Sequence, residues 1–395
     1  MSATAASHSI VLWQLQTHVS AASWAVLHRT VSLLTPRRKL HSYHTTKPPI
    51  PACVFNNGRE VIVNSNSAST TTPTSVVSSD AVDTVLDLGV FKQKCRKWQW
   101  KGQYSINYFV SSDLYLPQTS PTGPPLLLVH GFGASVPHWR RNIKTLARNH
   151  TVYVIDLLGF GASDKPQSFS YTMETWAQLI LDFLDEVIQE PTVLIGNSVG
   201  SLACVIAASD SGQTLVRGLV LLNCAGGMNN KAIVDDWRIK LLLPLLWLVD
   251  FLLNQKGIAS AIFERVKQRE NLRDVLLSVY GNKEYVDEEL VEIIREPAND
   301  VGALDAFVSI VTGPPGPNPV QLMPRISLPV LVLWGDQDPF TPIDGPVGRY
   351  FSSLSSRQAN VKLFILEGVG HCPHDDRPDS VHEKLLPWLA SLPTL

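Results

Sequence analysis

A chain of 395 residues with 45% hydrophobic side chains is long enough to bury one large core or two modest ones. Its formal charge of -2 supplies no basic face, so composition gives no case for nucleic acid as a partner. The five cysteines, Cys53, Cys95, Cys204, Cys224 and Cys372, are scattered and lack C-x-x-C spacing. They read as buried thiols in a reducing compartment, not as a disulfide frame or a zinc site.

The first 58 residues differ in composition from the rest. The first acidic residue is Glu60, while Arg29, Arg37, Arg38, Lys39 and Lys47 supply positive charge among many Ser, Thr and Ala. A basic, hydroxyl-rich leader without acids has the composition of an organellar transit peptide. A secretory signal fits worse, because its charge should precede an apolar run. Residues 59–90 read as a linker, with the low-complexity stretch "NSNSASTTTPTSVVSSD" at 64–80.

Beyond it, "CRKWQWKGQYSINYFVSSD" alternates aromatics around Lys101-Gly102, which predicts a hairpin. Short apolar runs then recur: "PLLLVH", "TVYVIDL", "TVLIGNS", "VRGLVLLN", "PVLVLWGD" and "VKLFILE". Aliphatic residues on both faces predict strands of a parallel sheet covered by helices. Helical patterns such as "TMETWAQLILDFLDEVIQ" and "DSVHEKLLPWLASL" alternate with them, so the expected class is α/β. Residues 226–323 break that rhythm with helical pattern alone and read as a cap or lid inserted into a core of 91–225 and 324–395. The lid's apolar run "LLLPLLWLVDFLL" (241–253) is interrupted by Pro244 and Asp250. It is short of the ~20 residues a spanning helix needs, which leaves a buried or membrane-dipping helix. Trp247 reads equally as an interface anchor or as core.

"GNSVG" places Ser198 between Gly196 and Gly200, after a predicted strand and before a small-residue helix. That is the context of a nucleophile elbow, where a tight strand-to-helix turn tolerates no Cβ on either side and lifts the serine oxygen above the sheet edge. The following helix N-terminus favours a developing oxyanion, with the backbone N–H of Val199 as one donor. A serine nucleophile needs a base and an orienting acid, in the order Ser, acid, His along the chain. "WGDQDPFTP" offers Asp336 and Asp338, and "GVGHCPHDD" offers His371 and His374. His374, Asp375 and Asp376 beside His371 also sketch a metal site, but with no fixed helical face to organise it. The stretch "HGFGAS" (130–135) reads either as a glycine-rich turn or as a second oxyanion donor, and His130 and His138 read as residues that organise loops.

With these motifs the chain resembles the α/β-hydrolase superfamily. Its W-G-x-x-D-x-x-x-P pattern implies Asp338 as the acid, its G-H pair His371 as the base, and its HG loop the Phe132 N–H as the second oxyanion donor. Asp336 is then a turn or capping residue. Related epoxide hydrolases and haloalkane dehalogenases carry aspartate at the elbow, so Ser198 implies acyl transfer to water with no metal or organic cofactor. The words "KWQWKG", "HGFGASVPHWRRN", "DLLGFGASDKP", "LLNCAGGMNNKA" and "GHCPHDDRP" resemble the chloroplast branch of chlorophyll dephytylases and pheophytinases. That resemblance spans about Cys95 to Leu389. It implies cleavage of the phytyl ester of a chlorophyll-type pigment, an apolar substrate met at the thylakoid membrane. A chain of ~20 carbons, at ~0.8 kcal/mol per buried CH₂, needs a continuous apolar path, and "LLLPLLWLVDFLL" and "AIF" (261–263) suit one. A chloroplast lipase or carboxylesterase on long-chain acyl esters would use the same lid. A ligand receptor on a hydrolase fold is the reading from another class.

Overall fold

The structure is a computed structural model and describes residues 85–114, 121–210, 214–229 and 248–393. The leader, residues 59–84 of the linker, Cys53, Pro244 and Trp247 lie outside the described residues.

The chain enters with helix α1 (Leu88–Lys94), whose Asp87 side chain accepts the Gly89 N–H as an N-cap. Strands β1 (Arg96–Trp100) and β2 (Tyr104–Val110) form the expected hairpin, with Lys101 and Gly102 turning it at positive φ. Leu86 is buried and its N–H reaches the Arg140 carbonyl, so ordered packing begins inside the stretch read as linker. The boundary is corrected to before Leu86, because Leu86 and Phe91 supply apolar surface that the polar text around them hides.

Strands β3 (Leu126–Val129) and β4 (Val152–Ile155) follow, then helix α2 (Met173–Phe183), which Thr172 caps. Wider turns over Leu184–Ile188 close that helix at Gln189, in the left-handed region. Next come β5 (Thr192–Asn197), α3 (Val199–Asp210) and β6 (Val216–Leu222). The described residues before the next strand carry four longer helices and no strand: α4 (Lys256–Val266), α5 (Arg269–Val279), α6 (Glu288–Arg295) and α7 (Ala303–Thr312). No described helix is long and apolar enough to cross a membrane. The chain closes with β7 (Val330–Gly335), α8 (Pro346–Leu354), β8 (Val361–Leu366) and α9 (Pro378–Ala390).

These eight strands form one sheet in the order β1-β2-β4-β3-β5-β6-β7-β8. It is antiparallel through β1, β2 and β4, and parallel from β4 to β8. Side chains alternate across a strand, so Leu127 and Val129 join one core with α2 and α3, and Leu126 and Leu128 join the other with α9. Every residue of β3, β5 and β7 is buried, as a strand covered on both faces requires. The last strand departs from that expectation, since Phe364 and Ile365 of β8 are exposed at the sheet's edge. β8 has a neighbour on one side only, so its apolar text does not enforce two-sided cover. Among the described cysteines all are free, and Cys95 is half-buried where full burial was expected.

Candidate active site

The turn from β5 to α3 is built as the sequence requires. Ser198 adopts φ 55°, a left-handed conformation that costs a non-glycine residue of order 1–2 kcal/mol and marks a constrained corner. A Cβ on Gly196 would lie 2.5 Å from the Ser201 nitrogen, and one on Gly200 would lie 2.4 Å from the His130 carbonyl oxygen. Backbone crowds both positions, which is why each is glycine. The Ser198 N–H donates to the Leu222 carbonyl, pinning the corner to β6 at 3.0 Å.

Asp338 and His371 meet just beyond the ends of β7 and β8. His371 Nδ1 donates to Asp338 Oδ2 at 2.7 Å, and both side chains are buried. Asp338 also accepts from the Phe340 and Thr341 amides, the Thr341 hydroxyl and the Asn223 side chain. Burial alone would raise the carboxyl's pKa, but the facing His371 and the Thr341 donors outweigh it and hold the acid below its ordinary value. Asp338 is therefore an anion that fixes the His371 tautomer, with Nδ1 protonated and Nε2 left as the basic atom. Asp336 accepts the Gly368 N–H, the role of a turn residue.

Among the described residues no hydrogen bond joins the Ser198 hydroxyl to His371. The two are linked through the neighbouring Asn197, whose side chain donates to the His371 carbonyl at 2.9 Å. Such contacts commonly tighten only when substrate is bound.

The loop after β3 lies against Ser198: a Cβ on Gly131 would stand 3.2 Å from the Ser198 Cβ. His130 accepts the Leu157 N–H at Nε2 and donates from Nδ1 to the Gly131 carbonyl at 2.7 Å. Burial pushes the His130 pKa down, against the pull of Asp156, so the ring is neutral and its tautomer is set by those partners. Because the peptide is trans, holding the Gly131 carbonyl aims the Phe132 N–H the opposite way. The Phe132 and Val199 amides find no acceptor among the described residues, which leaves both able to donate to a bound group. The Phe132 ring, 43% exposed, packs near Phe160 and the lid's Phe307, which in turn meets Phe263 of "AIF".

The metal reading of the "HDD" segment is not how these residues are used. The His374 ring stacks on Trp139 at 4.0 Å and meets His138, while Asp375 and Asp376 accept hydrogen bonds from the lid. His138 organises this region as expected, joining Tyr280 at 2.8 Å. Sequence reasoning passed over Asn197, Asn223 and Thr341. The available signal was an Asn at or just beyond the end of each of two adjacent strands, in "LIGNS" and "LLNCA".

A serine elbow, a buried Asp–His pair beyond β7 and β8 and two unengaged amides together mark a hydrolase of α/β architecture. The chain belongs to the alpha/beta hydrolase fold family, which it matches over residues 124–378. It is 24% identical over 273 residues to the uncharacterized hydrolase YugF of Bacillus subtilis, covering 68% of this chain and 91% of that protein. It is 25% identical over 336 residues to the chloroplastic pheophytinase of Arabidopsis thaliana, covering 74% of this chain and 66% of the relative. Among solved structures, the epoxide hydrolase CorEH resembles it with TM-score 0.59 and 21% identity, over 76% of this chain and 99% of that one. A bacterial membrane phospholipase A resembles it with TM-score 0.56 and 24% identity, over 76% and 86% of the two chains. Both of these likenesses concern the fold.

Proposed function

We propose that this hydrolase cleaves the phytyl ester of chlorophyll-type pigments, releasing phytol and a chlorophyllide-type acid through an acyl-enzyme on Ser198. Ser198 Oγ attacks the ester carbonyl while its proton passes to His371 Nε2. The oxyanion is held by the Phe132 and Val199 amides. The tetrahedral centre collapses, the carbon–oxygen bond to phytol breaks, and His371 returns the proton to the leaving alcohol. Water then attacks the acyl-Ser198, giving one proton to His371, and the serine is regenerated as the acid departs. No cofactor takes part in this scheme.

The observation that carries the substrate class is the likeness to pheophytinase over 74% of the chain. Aromatic side chains beside the oxyanion loop support it, because Phe132, Phe160, Phe307 and Phe263 form a connected run of ring contacts reaching into the lid. The acid-free leader supports delivery to the chloroplast. Exposed Leu248 and Phe251 of the lid support contact with a thylakoid surface. The test is product release from chlorophyll, pheophytin and a galactolipid, by the protein without residues 1–58 and by its Ser198→Ala variant. Phytol from a pigment, absent in the variant, is the expected result. Fatty acid from the galactolipid with no phytol would replace this reading by a lipase.

A further inference from the structure

The loop that carries His371 is bound to the lid segment just after α5. His371 N–H donates to the Val279 carbonyl at 3.0 Å, where α5 ends. Asp376, fully buried, accepts the Gly281 N–H at 2.8 Å and the Asn282 N–H at 2.7 Å, and it also accepts the Gly370 N–H. The two backbones are in direct contact: a Cβ on Gly281 would lie 2.1 Å from the Gly368 carbonyl oxygen. A second set of bonds lies beside the first. Tyr280 O–H donates to Asp375 at 2.9 Å, and Asp375 accepts from Arg140 at 2.9 Å. Arg140 also reaches Asp287 and Glu289 at the start of α6.

His371 is thus tied at its N–H by the lid, at its carbonyl by Asn197 and at Nδ1 by Asp338. We propose that Asp376 is a positioning residue: its carboxylate clamps the backbone N–H of Gly370, the residue before His371, to the lid segment after α5, and so sets the approach of the base to Ser198. This rests on the serine-hydrolase reading of the site but not on the phytyl substrate. It gives the "HDD" carboxylates a use that is neither a triad role nor a metal site. The clamp needs an acceptor on both oxygens, because three N–H groups converge on one side chain. An amide in its place turns a donor toward at least one of them. Removing an acceptor from buried donors loosens the loop, and a misplacement near 1 Å is enough to cost about 100-fold in rate.

The test uses the rate at which a fluorophosphonate reagent labels Ser198, with kcat and KM for p-nitrophenyl butyrate. In Asp376→Asn, labelling and kcat should fall about 100-fold, with KM within about twofold. Asp376→Glu should recover much of the loss, since it keeps both acceptor oxygens. Folded Asp376→Asn that labels at the parent rate would overturn the proposal. If that variant does not fold, amide exchange in the unmodified protein decides the matter. Gly281, Asn282, Gly370 and His371 should share one degree of protection, and separate opening of this lid segment and the histidine loop contradicts the clamp. A parent protein that the reagent leaves unlabelled refutes the hydrolase reading, and the exchange result still judges the clamp.

Discussion

His371 Nδ1 lies 2.7 Å from Asp338 Oδ2, although the two residues are 33 positions apart and lie beyond different strands. The sheet makes that meeting possible, because β7 and β8 are parallel neighbours and both end at the same edge. Asn223, just after β6, completes the arrangement by donating to Asp338 at 2.7 Å and accepting the Gly335 N–H at 3.0 Å.

Asp338→Asn should leave the fold intact and lower kcat about 10⁴-fold, because the amide favours the wrong His371 tautomer. Esterase kinetics with a short p-nitrophenyl ester, alongside circular dichroism, would check both halves. A loss below tenfold in folded protein would move the acid elsewhere.

The proposed mechanism uses the Phe132 amide at the oxyanion, while the ring packs near Phe160 and the lid's Phe307, and these roles separate on substitution. Phe132→Ala keeps the N–H, so kcat on a short ester should hold within about threefold. KM for a long-chain or phytyl ester should rise about tenfold, the equivalent of losing part of a buried aromatic contact. Equal effects on both substrates would show that the ring serves the loop, not the apolar chain.

Five buried histidines weaken the fold in acid, and burial lowers His130 and His150 among them. Burial pushes His138 and His374 well below the usual histidine range and His382 down to about 4. A depressed folded pKa means that the unfolded chain takes up protons first as pH falls. The stabilisation is therefore complete above pH ~6.5 and drains away below it, by ~1.4 kcal/mol per pH unit for each histidine. Thermal midpoints measured from pH 7 to pH 5 should fall, and His382→Gln should remove one proton's share of that slope. A midpoint flat across this range would contradict the neutral burial of these rings.

Arg140 and Asp375 form an ion pair with no exposure on either side chain. Arg140→Met leaves Asp375 with Arg141, at 3.1 Å, as its remaining cation and should cost about 1–3 kcal/mol. Adding Asp375→Asn should recover part of that loss. Denaturant unfolding of the single and double variants would measure the coupling.

Much of this was legible in the chain because strand and helix text is local. "PLLLVH" and "TVLIGNS" carry apolar residues on both faces and became fully buried strands. The elbow was equally plain, since Gly196 and Gly200 answer to backbone contacts within a few residues or across one strand. What the text hid is non-local. Nothing in "GHCPHDDRP" announces that Asp376 accepts amides of the lid 94 and 95 positions earlier, and two acids beside two histidines look like ligands. The half-exposed β8 escaped for a related reason, because being at the edge of a sheet is a property of topology and leaves no mark on the strand's own residues.

The most direct measurement is to treat the protein with a fluorophosphonate, digest it and locate the adduct by mass spectrometry. One adduct on Ser198, lost in Ser198→Ala and slowed in Asp338→Asn, is the result expected of the nucleophile and its Asp338–His371 pair. An intact Ser198 in a folded protein that still hydrolyses esters, or an adduct on another residue, would contradict it.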